Sequence, residues 1–244
     1  MKSPQYYIRK THRYLGLFIG IQFMLWVLGG LYFSWTNIDK IHGDHLVNFP
    51  NPNISLTDSL LSPNVAILKA RLHPEKVKSL NLTRVLDQMV YQVETESSII
   101  LINAQTGSIR PPLSQSEAAD FAKKIFKPKS EISSIEYITK DNLQDHYQYR
   151  GGTLPAWAIS FKHPSNSVVY ISSEKGSFEK IRNKQWRLYD FLWMVHIMDY
   201  QTRDNLNNWL LRGFSILGLT TVLSGFTLFY QSSRTIRNIK NKDL

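Results

Sequence analysis

Two uncharged apolar runs near the ends of the chain restrict it more than anything between them. The first, YLGLFIGIQFMLWVLGGLYFSW, begins at Tyr14 and continues for roughly 22 positions, where about 20 suffice to cross a hydrocarbon core. The second, GFSILGLTTVLSGFTLFY over residues 213–230, extends back through Trp209, with Arg212 in its first turns placed to snorkel to the interface. Both predict transmembrane helices, over residues 14–36 and 208–231. The first run is longer than the apolar core of a cleaved signal peptide. No small-x-small cleavage site follows it, so it reads as a retained anchor.

Flanking charge then predicts orientation. Lys2, Arg9, Lys10 and Arg13 precede the first run without an acid, and Arg234, Arg237, Lys240 and Lys242 follow the second against Asp243 alone. The inner flanks mix signs: Asp39, Lys40 and Asp44 on one side, Arg203 and Asp204 on the other. The tails, residues 1–13 and 232–244, are therefore expected in the cytoplasm. The middle of the chain is expected outside, in the periplasm of a bacterial inner membrane. The net charge of +10 is accounted for largely by topology and anionic lipid, so the bilayer is the expected partner and nucleic acid is not. With no cysteine among 244 residues, disulfides, thiolate metal sites and cysteine nucleophiles are excluded.

The polar middle reads as two similar halves, residues 45–113 and 114–185. SPNVAILKARL opens the first as a short helix, with Ser62 as N-cap and Pro63 at the first helical position. VKSLNLTRV alternates like a strand, and MVYQVE with SIILINAQTGSI makes a strand pair. In the second half Ser114 and Glu117 have capping-box spacing at the start of SQSEAADFAKKIF. EISSIEYI follows as a strand, then PAWAISF and SVVYISSEKGSF as a pair. Each half thus predicts one helix and three strands and ends in a glycine turn, INAQTG and ISSEKG, with Gly107 and Gly176 suited to positive φ. Chance similarity of two such segments is the alternative to a duplication.

YQVETESSIILINAQTG, residues 91–107, resembles the strand motif of the PepSY domain. RKTHRYLGLFIGIQFMLWVLGGLYFSW resembles the first helix of PepSY-associated transmembrane proteins, whose His-Arg-aromatic-Leu-Gly-Leu pattern is the more specific of the two signals. IHGDHL and WRLYDFLWMVHIMDY also look like segments of small two-span members. The resemblance implies a membrane protein of the α+β class, with two transmembrane helices flanking a duplicated PepSY-like domain of helix plus antiparallel sheet. It implies a domain that binds or regulates a partner in envelope, iron or respiratory metabolism. Larger relatives include ferrisiderophore reductases, in which haem in the helical bundle carries electrons. Other PepSY modules modulate peptidases.

A b-type haem needs imidazoles on facing helices. His12 and His196 are the candidates, but about 20 helical residues, roughly 30 Å, separate their expected levels. One chain then cannot clamp one haem between them, whereas a symmetric dimer could offer each histidine twice. His12 otherwise reads as an interfacial residue of a basic flank. His196 lies in LYDFLWMVHIMDY, too short to span, and residues 186–201 predict an interfacial helix. On a helix Asp199 falls three residues on and would orient a metal-bound His196 imidazole. In the other reading Trp186, Trp193 and Tyr200 anchor in the headgroups while His196 and Asp199 face water. His42 and His45 in HGDH make a weak metal pair, and more plainly a turn that Gly43 permits. His73, His146 and His163 are scattered and read as surface positions.

Helix packing is expected from Gly16 and Gly20, a G-x-x-x-G spacing, and from Gly218, Thr221 and Gly225 in the second span. Gln22, mid-membrane, calls for a partner, which favours association with a second copy or another membrane protein. H-E-x-x-H, G-x-S-x-G and phosphate-binding glycine loops do not occur, so nothing points to a peptidase or nucleotide-using enzyme.

Overall fold

The computed structural model describes residues 4–48, 59–73, 76–96 and 98–233. The chain divides into two compact units. One is helical, built from the residues up to Thr36 and from Leu188 onward; the other, Asn37–Arg187, contains the strands. Lys2, Arg234, Arg237, Lys240, Lys242 and Asp243, on which the expected orientation partly rests, lie outside the described residues.

The helical unit is built on α1 (Pro4–Trp35) and α6 (Trp209–Ser232). Both are long and apolar enough to cross a bilayer. α1 starts about three turns before its apolar run, because YYIRKTHR contains nothing that stops a helix, so His12 is a helical residue rather than part of a tail. α6 opens at Asn208, whose side chain accepts from the Leu211 amide at 2.8 Å.

The inward face of α1 repeats every seven residues. His12, Ile19, Trp26 and Phe33 form one row and Leu15, Gln22 and Gly29 the other, all buried or half-buried. That is the period of helices packed side by side. The facing surface of α6 is small: Gly218 and Thr221 are buried and Gly225 half-buried. A Cβ on Gly218 would lie 2.8 Å from the Phe23 ring, and one on Gly225 would lie 3.2 Å from Cε1 of His12. Phe18 stacks on Phe214 at 5.6 Å. Gly16 and Gly20 were expected in this contact and are not in it, since a Cβ on either would meet nothing within 4 Å. The seven-residue seam passes beside them, and the close approach falls on the glycines of α6. Leu17, Ile21 and Val27 on α1 and Ile216, Leu219 and Phe226 on α6 each expose more than half their surface.

The other unit holds two four-stranded antiparallel sheets of identical order. Sheet 1 is β1 (Ser79–Val85), β2 (Gln88–Glu94), β3 (Ile99–Asn103) and β4 (Ile109–Arg110). Sheet 2 is β5 (Ile132–Ile138), β6 (Ala156–Phe161), β7 (Val168–Ser172) and β8 (Phe178–Arg182). Each sheet has one strand more than the sequence suggests. β4 is two residues long and β8, FEKIR, is polar, so neither carries a clear alternation.

Ahead of the sheets come α2 (Ile38–His42) and α3 (Pro63–Lys69), and α4 (Gln115–Ile125) lies between them in the chain. Period-two alternation sends Met89, Tyr91, Val93 and Ile102 to α3, while Val90 and Leu101 enter a core with Phe121 and Ile125 of α4 and with Ile159, Val169 and Ile171 of sheet 2. The far face of sheet 2, with Ala158 and Tyr170, is covered by Tyr149 from a 3₁₀ segment, Leu143–Tyr149. The predicted capping box is present: Ser114 Oγ accepts from the Glu117 amide and Glu117 accepts from the Ser114 amide. Ser62 occupies the N-cap of α3 but its hydroxyl makes no capping bond.

Candidate functional site

The helical unit gathers most of the residues that could carry chemistry. His12 Nδ1 lies 2.8 Å from Ser224 Oγ, and Ser224 Oγ in turn donates to the Thr221 carbonyl at 2.7 Å. With its one proton on that carbonyl, the hydroxyl accepts from Nδ1–H, so the neutral His12 ring presents Nε2 as the lone-pair nitrogen. Gly225 lets the ring come this close. Ser224 was not singled out from the sequence as a partner for His12; the pair is 212 residues apart.

His196 belongs to α5 (Lys184–Ile197). Its ring sits among Trp26 at 6.0 Å, Phe33 at 5.8 Å and Trp193 at 6.3 Å between centroids. Tyr189 stacks on Trp193 and also meets Phe33. Gly29 leaves room for the imidazole, as a Cβ there would lie 3.8 Å from Nδ1. Nδ1 of His196 and Nε1 of Trp26 are both buried without a hydrogen bond. Moving from Phe33 to Trp26 to Gln22 on α1, the matching α5 residues run from Tyr189 to Val195, so α5 descends along α1. The expectation of a helix exposing His196 and Asp199 to water is corrected, because His196 faces the aromatic rings of α1. Trp186 is likewise no headgroup anchor; it is buried beneath Arg182, 4.2 Å over its ring. Tyr200 is exposed.

The pairing expected between Asp199 and His196 is absent. α5 ends at Ile197 and Met198 takes a left-handed φ of 55°, so Asp199 leaves the helical face. Its carboxylate instead accepts from the amides of Gln201, Thr202, Asp204 and Asn205 and from the Thr202 hydroxyl. Burial opposes ionisation, but the Thr202 hydroxyl and the amides of Asn205, Thr202 and Gln201 outweigh it. They hold the Asp199 carboxyl well below the usual carboxylate range. Nearby, Arg203 donates to the buried Asp190. Asn208 donates to the Ile197 carbonyl at 2.9 Å. Gln22, expected to call for a partner, finds one on another helix of its own chain, donating to the Val195 carbonyl of α5 at 3.3 Å.

His12 and His196 are not brought together. His196 lies beside Gly29, and the 17 residues from His12 to Gly29 correspond to roughly 25 Å of helix. A haem-ligating imidazole needs a free Nε2 and a held Nδ1. His12 meets both conditions through Ser224. His196 does not, since its Nδ1 has no acceptor.

In the sheet unit His42 ends α2 and His45 lies in the 3₁₀ turn Asp44–Leu46; both are exposed. Gly43 between them has φ 87° and a Cβ there would come within 2.8 Å of Ile181, so the segment is a tight turn. No group of three metal-ligating side chains occurs among the described residues. His163 Nδ1 lies 2.7 Å from Ser165 Oγ, which lies 2.6 Å from buried Ser167 Oγ, a local network within the β6–β7 turn. His146 Nε2 lies 3.5 Å from Glu136. A cavity of about 370 Å³ is lined by residues that include Arg71, Leu72, Lys76 and Ile100. Comparison of the chain with protein-family models, with curated proteins and with solved structures finds no match.

Proposed function

We propose that the chain is a membrane-anchored PepSY-type protein whose duplicated α+β domain, on the periplasmic side of a bacterial inner membrane, binds or regulates a protein partner. The partner belongs to envelope, iron or respiratory metabolism. The observation that carries this reading is the recurrence of one turn in both sheets. The Gly107 amide donates to Asn103 and the Asn103 amide to Ser108. The Gly176 amide donates to Ser172 and the Ser172 amide to Ser177. Both glycines have positive φ, 79° and 63°. A helix leads into each sheet, and the strand order is the same in both. Two units of one kind in tandem suit recognition of a partner.

Membrane insertion is supported by the exposed apolar surface of α1 and α6. Exposed Trp209 and Tyr230 lie near the two ends of α6, about 31 Å apart along the helix, the spacing of two interfacial belts. Crosslinking in native membranes tests the function: a reproducible heterologous partner is expected, and repeated recovery of the chain alone as a monomer would sink it. A tag after Leu244 should be protected in intact cells.

The second reading is a b-type haem electron-transfer subunit acting as a dimer, favoured by the fixed Nδ1 of His12. Bound haem would supply one-electron chemistry, and His12 would hold the iron, with Ser224 orienting the ring. A Soret band that disappears in His12→Ala is expected if this reading holds; a colourless protein that takes up no haem removes it.

A further inference from the structure

The contacts between α1 and α6 fix how far each helix runs past the other. They pair His12 with Ser224 and Gly225, Phe18 with Phe214, and Phe23 with Gly218, so the two helices are antiparallel. Extended at about 1.5 Å per residue, these pairs set Trp209 level with roughly Leu28 and Tyr230 level with roughly Tyr7. The apolar run of α1 goes from Tyr14 to Trp35. It is therefore offset from α6 by about two turns, roughly 10 Å. One bilayer cannot be centred on both.

The segment between α5 and α6 decides between them. Its Gln201, Asp204, Asn205 and Asn207 are exposed. Its two ends are held well down α1: the Val195 carbonyl accepts from Gln22, His196 packs beside Trp26 and Gly29, and Asn208 donates to the Ile197 carbonyl. A bilayer centred on residues 14–36 would draw these exposed polar groups into hydrocarbon, where water is absent and they are strongly disfavoured. A bilayer centred on α6 leaves them at its surface, with exposed Arg212 one turn inside to snorkel back. At the opposite surface exposed Tyr6 and Tyr7 join Tyr230, and Arg9, Lys10 and Arg13 reach it on their long stems.

We propose that the hydrocarbon core covers α1 from about Tyr7 to about Leu28, and that the last two turns of α1 form, with α5, a surface that contacts phospholipid headgroups. Exposed Leu31 and Trp35 of α1 and exposed Leu188 and Phe191 of α5 lie in that headgroup layer, which accepts apolar and aromatic side chains. The aromatic cluster around His196 lies at the border of the layer, and His12 lies inside the hydrocarbon. This placement rests on the membrane reading above.

The chain has no cysteine, so a single introduced cysteine reports one position. Tyr14→Cys, Ile21→Cys, Leu31→Cys, Asn205→Cys and Leu219→Cys, all at exposed positions, are made one at a time in the full chain. Each variant is reconstituted in phosphatidylcholine vesicles and given a membrane-impermeant maleimide on both faces. Asn205→Cys and Leu31→Cys should be labelled. Tyr14→Cys, Ile21→Cys and Leu219→Cys should lose the labelling they show in dodecyl sulfate. A span over residues 14–36 gives the reverse for Leu31→Cys and Tyr14→Cys. A silent Leu31→Cys or Asn205→Cys, or a reactive Tyr14→Cys, overturns the placement, and the membrane reading stands as long as Ile21→Cys and Leu219→Cys stay silent. Labelling of those two as fast as Asn205→Cys removes both.

Discussion

Gln22 of α1 donates through Nε2 to the carbonyl oxygen of Val195, one of the last residues of α5. The carbonyls at a helix end have no intrahelical donor. Gln22 satisfies one and Asn208 satisfies another, at Ile197. Replacing Gln22 with Ala leaves the Val195 carbonyl unmatched and should cost about 1–2 kcal/mol. Thermal melting of the solubilised chain checks this, with Met24→Ala, an exposed position, as the silent control.

The small residues of α6 and α1 should separate cleanly by mutation. Gly225→Val drives a side chain into the His12 ring and should destabilise the helix pair by about 1–3 kcal/mol. It should also move the ¹⁵N signals of the imidazole. Gly20→Val enters open space and should stay within about 0.5 kcal/mol. Equal losses in the two variants would mean that the seam of α1 runs elsewhere.

The paired turns of the two sheets should differ in tolerance. Ala at Gly107 or Gly176 meets a positive φ in either case, a strain of about 1–3 kcal/mol. At Gly107 the new Cβ meets Cδ and Cβ of the exposed Lys69 at 2.7 and 2.9 Å and half-buried Leu61 at 3.2 Å, neighbours at the surface that can shift. At Gly176 it meets buried Val85 at 2.6 Å and Leu113 at 3.2 Å, which cannot. Denaturant midpoints should therefore fall further for Gly176→Ala than for Gly107→Ala.

Asp199 provides a pH-dependent contribution to stability. Its folded carboxyl holds its proton less tightly than in the unfolded chain. The stabilisation is then full above the ordinary carboxylate value of about 4 and is lost as pH falls toward the lower folded value. Asp199→Asn offers one oxygen where two receive hydrogen bonds and should cost about 1–3 kcal/mol at neutral pH. The gap between variant and parent should close below about pH 4. A gap that stays constant from pH 7 to pH 3 would contradict the role assigned to the carboxylate.

Alkali should loosen the sheet unit. Burial raises the Tyr170 hydroxyl to about 12, so its unfolded form ionises first. Stability is kept below about pH 10 and declines as pH rises through the interval up to the folded value. Tyr170→Phe should flatten that decline in a melting series from pH 8 to pH 11.

What could be read along the chain was whatever a residue's near neighbours dictate. The apolar runs announced α1 and α6, the Ser114–Glu117 spacing announced α4, and alternation placed six of the eight strands among the described residues. β4 and β8 escaped because a two-residue strand and a polar edge strand have no period to detect. The end of α5 escaped as well: nothing in VHIMDY marks Met198 for a left-handed turn, and the donors that hold Asp199 lie two to six residues further on. The Asp199–His196 pairing was a helical extrapolation past that turn.

Helix and strand type thus came from local periodicity, which needs only bonds and contacts within a few residues. Partner choice needed the volumes of side chains that meet across long separations. The sequence offered Gly16, Gly20, Gly218 and Gly225 alike for a helix contact; Gly218 and Gly225 make it, because Phe23 and His12 point there, and Gly16 and Gly20 do not. Likewise the sequence offered His12 and His196 as two similar imidazoles. Folding made them different: Ser224 holds the Nδ1 of one, while aromatic rings and Gly29 enclose the Nδ1 of the other and offer it no acceptor.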